Sequence, residues 1–102
     1  MLFHVTATHS PDDCPGYNRE DMPQIVAAIE NAENVAKELG VKIHFLVNGA
    51  PEHVVFLLLE ADSPASIAMF ANSFPLKQDF DVTAVVHEKD MVAMAKEMMG
   101  RG

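Results

Sequence analysis

The run VVFLLLE at residues 54–60 constrains the fold of this chain more than any other stretch. It has the length of a strand, and its first six residues are apolar without alternation, so both faces of that strand need cover. The neighbouring segments behave differently. Residues 2–9 (LFHVTATH) alternate, with Phe3, Val5 and Ala7 on one face and His4, Thr6 and Thr8 on the other. Residues 41–47 (VKIHFLV) set Val41, Ile43, Phe45 and Val47 against Lys42, His44 and Leu46. Residues 80–88 (FDVTAVVHE) set Val82, Ala84 and Val86 against Thr83, Val85 and His87. These three segments read as strands with one apolar and one more polar face.

Between them the apolar period changes. Met22, Ile25, Val26, Ile29, Ala32, Ala36 and Leu39 fall at helical spacing, with Asn18 or Asp21 as cap, Pro23 in the first turn and Gly40 as stop. A second helix opens at Asp62 or Ser63 with Pro64 in its first position, and carries Ile67, Phe70, Ala71 and Phe74 on one stripe. Residues 91–100 (MVAMAKEMMG) form a short terminal helix with Met91, Met94, Ala95 and Met98 on one side. This order, βαββαβ plus a C-terminal helix, predicts an α+β, ferredoxin-like fold: a four-stranded antiparallel sheet with two helices on one face. With 102 residues and neither a linker nor a repeat, residues 1–102 are expected to form one domain. The two helices cover one side of the 54–60 strand. A second copy of the chain, packed sheet on sheet, is the economical cover for the other and predicts a homodimer. The alternative is a monomer in which the terminal helix folds back over that face.

Composition narrows the function classes. The chain is 49% hydrophobic and 22% charged, a globular balance, and fifteen acidic residues against seven basic give a formal charge of -8. Nucleic acid is not an expected partner, because phosphate binding needs clustered Lys and Arg. No membrane association is expected either, since no apolar run approaches the roughly 18 residues of a spanning helix. The start, MLFHVTATHS, reads as a strand rather than a signal peptide, and a lone cysteine cannot form an intrachain disulfide, so a cytoplasmic, reducing setting is expected.

Element order, a first strand opening MLF, and residues 56–86 (FLLLEADSPASIAMFANSFPLKQDFDVTAVV) together resemble the dimeric α/β-barrel proteins, small members of uncharacterised activity in particular. That family includes monooxygenases, muconolactone-isomerase-like and YCII-like proteins, haem-handling enzymes and stress-responsive proteins. The resemblance implies a dimer with a ligand cavity between sheets and leaves the reaction open. It carries no catalytic residue across to this chain.

The residues themselves offer two candidate sites. His4, His44 and His87 share the more polar sheet face, and His4 and His87 are expected close together on neighbouring antiparallel strands. They are candidate catalytic groups for proton transfer on an apolar or aromatic small molecule, with Thr6, Thr8, Thr83 and Tyr17 as candidate substrate contacts. They are also the residue types that hold a zinc, iron or copper ion, and their plain reading is as groups that line a polar cavity, hydrogen-bonded to Thr6, Thr83 or water. The second candidate is the loop HSPDDCPGYN at residues 9–18, where His9 and Cys14 form a candidate metal pair or a nucleophile with its base. Its plain reading is a Pro-rich connection with Cys14 tucked in as a small apolar group. The cofactor is accordingly expected to be none or one transition metal ion. Two functions follow: a cofactor-free enzyme of isomerase or monooxygenase type, or a metal- or ligand-binding protein or stress-associated dimer without turnover.

Overall fold

The computed structural model describes residues 1–101. Its elements are β1 (Leu2–Thr8), a 3₁₀ turn (Pro11–Asp13), α1 (Met22–Glu30), α2 (Ala32–Glu38), β2 (Lys42–Gly49), β3 (Val54–Glu60), α3 (Pro64–Ala71), β4 (Asp79–Val85) and α4 (Glu88–Gly100). The strands form one antiparallel sheet in the order β2-β3-β1-β4. This is the ferredoxin-like arrangement that the element order predicts.

Register assigns every strand residue to a face. Phe3 pairs with Leu59 and Ala84, and Val5 with Leu57 and Val82. These side chains form the helix face, where Phe3, Val5, Leu57 and Leu59 are buried together with Ile67 and Phe70 of α3 and Ala32 and Ala36 of α2. The open face carries His4, opposite Leu58 and Thr83, and Thr6, opposite Phe56 and Asp81. In β2 the alternation does not hold through the strand. The register shifts between Ile43 and Phe45, so that Phe45 pairs with Leu58 while Leu46 pairs with Leu57. A bulge puts two successive residues opposite one partner and inverts the parity beyond it. Phe45 and Val47, expected on the helix face, therefore lie on the open face at 39% and 50% exposure, and Leu46 takes the core position instead.

The helices depart from their sequence reading in three places. The helix expected to run unbroken to Leu39 is interrupted at Asn31 (φ -94, ψ 0), whose amide side chain accepts a hydrogen bond from the Asn34 side chain. Asn competes for backbone-like hydrogen bonds in this way, which is why it tolerates a break. Neither Asn18 nor Asp21 caps α1 with its side chain. Asp21 is itself in a helical conformation, and the Asn18 amide donates instead to the carbonyls of Asp12 and Cys14. By contrast Ser63 caps α3 as expected, its hydroxyl accepting from the Ser66 N–H, and Gly40 ends α2 with φ +73, where a Cβ would be strained. Finally, β4 stops at Val85, and α4 begins at Glu88 rather than at Met91.

Every residue of α4 is exposed. The helix therefore does not fold back over the sheet, and the alternative of a self-covering monomer is corrected. The molecule is elongated as a result, with a Cα radius of gyration of 16.6 Å against the roughly 13 Å of a compact chain of this length.

Candidate functional site

Strand parity continues past the end of β1. Phe3, Val5 and Ala7 point to the helix side, and His9 is the next member of that series; on β3 the series Leu59, Leu57, Val55 leads back to His53. The His9 N–H donates to the His53 carbonyl at 3.2 Å, adding a rung to the β1–β3 ladder beyond Thr8 and Val54. The two imidazoles meet edge to face with ring centroids 5.2 Å apart. His53 reaches this position from the β2–β3 turn with φ +59, a left-handed conformation uncommon outside glycine. Gly49 makes the turn's close approach feasible, since a Cβ there would lie 2.7 Å from Val54 Cγ1.

Cys14 comes to the same place from the 9–18 loop. The loop is held by its own hydrogen bonds: the Cys14 N–H donates to the Pro11 carbonyl, the Tyr17 N–H to the Cys14 carbonyl, and the Ser10 hydroxyl to the Asp13 carboxylate. Ligand atoms of His9, Cys14 and His53 all fall within 4.8 Å of one another. His53 had no role in the sequence reading, yet period-two spacing from Val55, Leu57 and Leu59 is the signal that places it.

His9 and Cys14 border a cavity of about 290 Å³ between the helix face and the helices. Its inner wall is Val5, Leu57 and Phe70, its helix side is Ile25 and Val26, and its few polar groups include Asn48 and Gln78. The cavity has a local cause. In α2 the buried residues are alanines, which let the backbone approach, whereas α1 buries only Ile25 and leaves Val26 and Ile29 nearly half exposed. Both ring nitrogens of His9 and the Oε1 of Gln78 are buried and have no hydrogen-bond partner among the described residues. Burial, and then the neighbouring His53, push the His9 pKa down, against a smaller opposing pull from Asp13. Both causes favour the neutral form of the imidazole, which sits at the polar end of an apolar space.

The other expected residues lie elsewhere. His4, Thr6, Thr8 and Thr83 are on the open face or at its end, away from the cavity. His4 packs between aromatic rings, 6.3 Å from the centroids of both Phe45 and Phe56. His44, at the bulge, bonds through Nε2 to Glu60 at 2.9 Å, and this bond above all holds the Glu60 carboxyl below its ordinary pKa. His87 is not on β4 but at the N-cap position of α4. The register sets Thr83 opposite His4 and Val85 opposite Leu2, and His87 lies beyond the end of the strand, so the expected cross-strand pairing of His4 with His87 is corrected. Tyr17 is 72% exposed, its ring centroid 6.0 Å from that of His53. No helix among the described residues is long and apolar enough to cross a membrane.

Comparison with known proteins adds the fold and the family. The chain is similar in structure to muconolactone isomerase, with 20% identity, a TM-score of 0.58 and coverage of 85% of this chain and 90% of that one. A dimeric ferredoxin-like protein from an uncultured marine organism aligns at 13% identity and a TM-score of 0.43, covering 84% of this chain and 94% of that one. No curated protein matches the sequence. A family model described as a domain of unknown function (DUF3303) matches residues 1–99, and the chain belongs to that family.

Proposed function

We propose that this protein is a small-molecule-binding homodimer whose ligand enters the cavity between the sheet and its helices. One observation carries the reading: an apolar cavity of about 290 Å³ whose polar end holds buried groups, both His9 nitrogens and Gln78 Oε1, with no hydrogen-bond partner among the described residues. Buried polar groups are normally hydrogen-bonded, so a ligand that brings a donor or acceptor to that end gains more than burial alone. A cavity of about 150 Å³ takes a benzene ring, so the ligand class is a one- or two-ring apolar or aromatic compound with one polar substituent.

The geometry favours binding over turnover by His4, His44 and His87, because the sheet register does not assemble those three. The dimer follows from β3, whose outward residues Val54, Phe56 and Leu58 are joined by Phe45 and Val47, while the Met-bearing helix α4 leaves them uncovered. Charged Lys42, Glu60, Asp79 and Asp81 surround that apolar centre, the arrangement of an interface with a polar rim. In such a dimer His4, Thr6 and Thr83 line the space between sheets.

Calorimetric titration with phenol, benzaldehyde and indole tests the ligand reading. Saturable binding of one molecule per chain, abolished when the cavity is filled by Val26→Phe or Ala71→Phe, is the expected result. Binding that both filled variants retain would place the ligand elsewhere and defeat the proposal.

A further inference from the structure

We infer that His9, Cys14 and His53 form a transition-metal site of the zinc class, with an open coordination position facing the cavity. Two separate pieces of chain converge on it: the 9–18 loop, which supplies His9 where it leaves β1 and Cys14 five residues on, and the β2–β3 turn, which supplies His53. Two imidazoles and a thiolate are a donor set that borderline-soft ions prefer to Mg²⁺ or Ca²⁺, which take oxygen ligands.

The distances suit a preformed site. Bonds of about 2.0 Å to nitrogen and 2.3 Å to sulfur set tetrahedral ligands about 3.3–3.5 Å apart. The three ligand atoms already lie within 4.8 Å of one another, so side-chain rotation of about an ångström closes the cluster. His9 supports the assignment twice over. Its ring nitrogens are buried and have no hydrogen-bond partner among the described residues, so an imidazole set beside a second imidazole and a thiol lacks the hydrogen bond that ordinarily explains such a placement. His53 adds a backbone observation, since a non-glycine residue is held at φ +59 where it faces the other two.

On binding, the divalent ion displaces the Cys14 thiol proton to solvent and coordinates neutral His9 and His53, leaving one net positive charge. Asp13, already an electrostatic neighbour of His9, is of the sign that offsets that charge. Because His9 and Cys14 border the cavity, the fourth position opens toward it. That open position is the only part of the inference resting on the cavity reading. It would give a bound ligand's oxygen or nitrogen a Lewis-acidic partner.

The test is a Co²⁺ and Zn²⁺ titration of tag-free, chelator-stripped protein, with Cys14→Ser and His53→Asn as variants. Asn tolerates the left-handed backbone at position 53, so that variant keeps the turn, and far-UV circular dichroism confirms the fold of each. The expected result is one Co²⁺ per chain with tetrahedral visible bands and a thiolate-to-cobalt charge-transfer band. Cys14→Ser should remove the charge-transfer band, and each variant should weaken Zn²⁺ binding at least about 100-fold. Absence of saturable binding, or a charge-transfer band and affinity unchanged in both variants, would overturn the site. Titration with phenol or indole in excess chelator reads the cavity separately, so loss of one reading leaves the other standing.

Discussion

Replacing Phe45 with aspartate should convert the proposed dimer into a monomer without unfolding the chain. The bulge in β2 places Phe45 on the open face, paired with Leu58 and 39% exposed. For a side chain of about 200 Å² that leaves about 80 Å² for a partner to bury, or about 2 kcal/mol at about 25 cal/mol per Å². A two-fold interface counts it twice, so removing it costs about 4 kcal/mol, about a thousandfold in dissociation constant, before any penalty for desolvating the new carboxylate. The position lies on an edge strand and is already partly solvated, so the monomer should keep its circular dichroism spectrum. Sedimentation equilibrium between micromolar and millimolar chain gives the dissociation constant directly. A wild-type chain that stays monomeric over that range, or a variant whose constant moves less than tenfold, would refute the reasoning.

Other consequences follow from single contacts. Phe70 is fully buried and meets Phe74 edge to face at 5.4 Å, so Phe70→Ala should lose about 3–5 kcal/mol and lower the urea midpoint by about 2 M. Gly49→Ala forces a Cβ against the stiff Val54 side chain and should destabilise by about 1–3 kcal/mol, measured by the same unfolding curves. The lowered Glu60 pKa means that its interaction with His44 supports the fold above the ordinary glutamate range and is lost as pH falls through the lowered value. In His44→Ala the Glu60 carboxyl should titrate higher, back toward its ordinary range, as followed by ¹³C NMR; an unchanged titration would remove His44 as the cause.

The fold was legible because its signals were periodic and local. Phe3, Val5 and Ala7 alternate, Ser63 and Pro64 mark a helix start, and the six-residue apolar run of β3 demands cover on both sides. What misled was any feature depending on an interruption. The bulge at His44 is a backbone event with no glycine or proline to announce it, and it moved Phe45 and Val47 to the opposite face. The same limit applies to the histidines. Extending β4 to residue 88 placed His87 beside His4, whereas the chain leaves the strand after Val85. His9 and Cys14 were visible as chemistry, but their third neighbour needed the β1–β3 register, which sets His53 opposite His9. Gln78 lies between α3 and β4 in a segment without periodicity, so nothing in its local pattern marks it as a cavity residue.

Methyl NMR of the Ile, Leu and Val side chains during titration with indole tests the central claim most directly, because the sheet separates two sets of reporters. Binding in the helix-side cavity should shift Ile25, Val26 and Leu57, and leave Val47 and Leu58 of the open face unmoved. Saturable shifts confined to Val47 and Leu58 would instead locate the ligand on the open face and contradict the account.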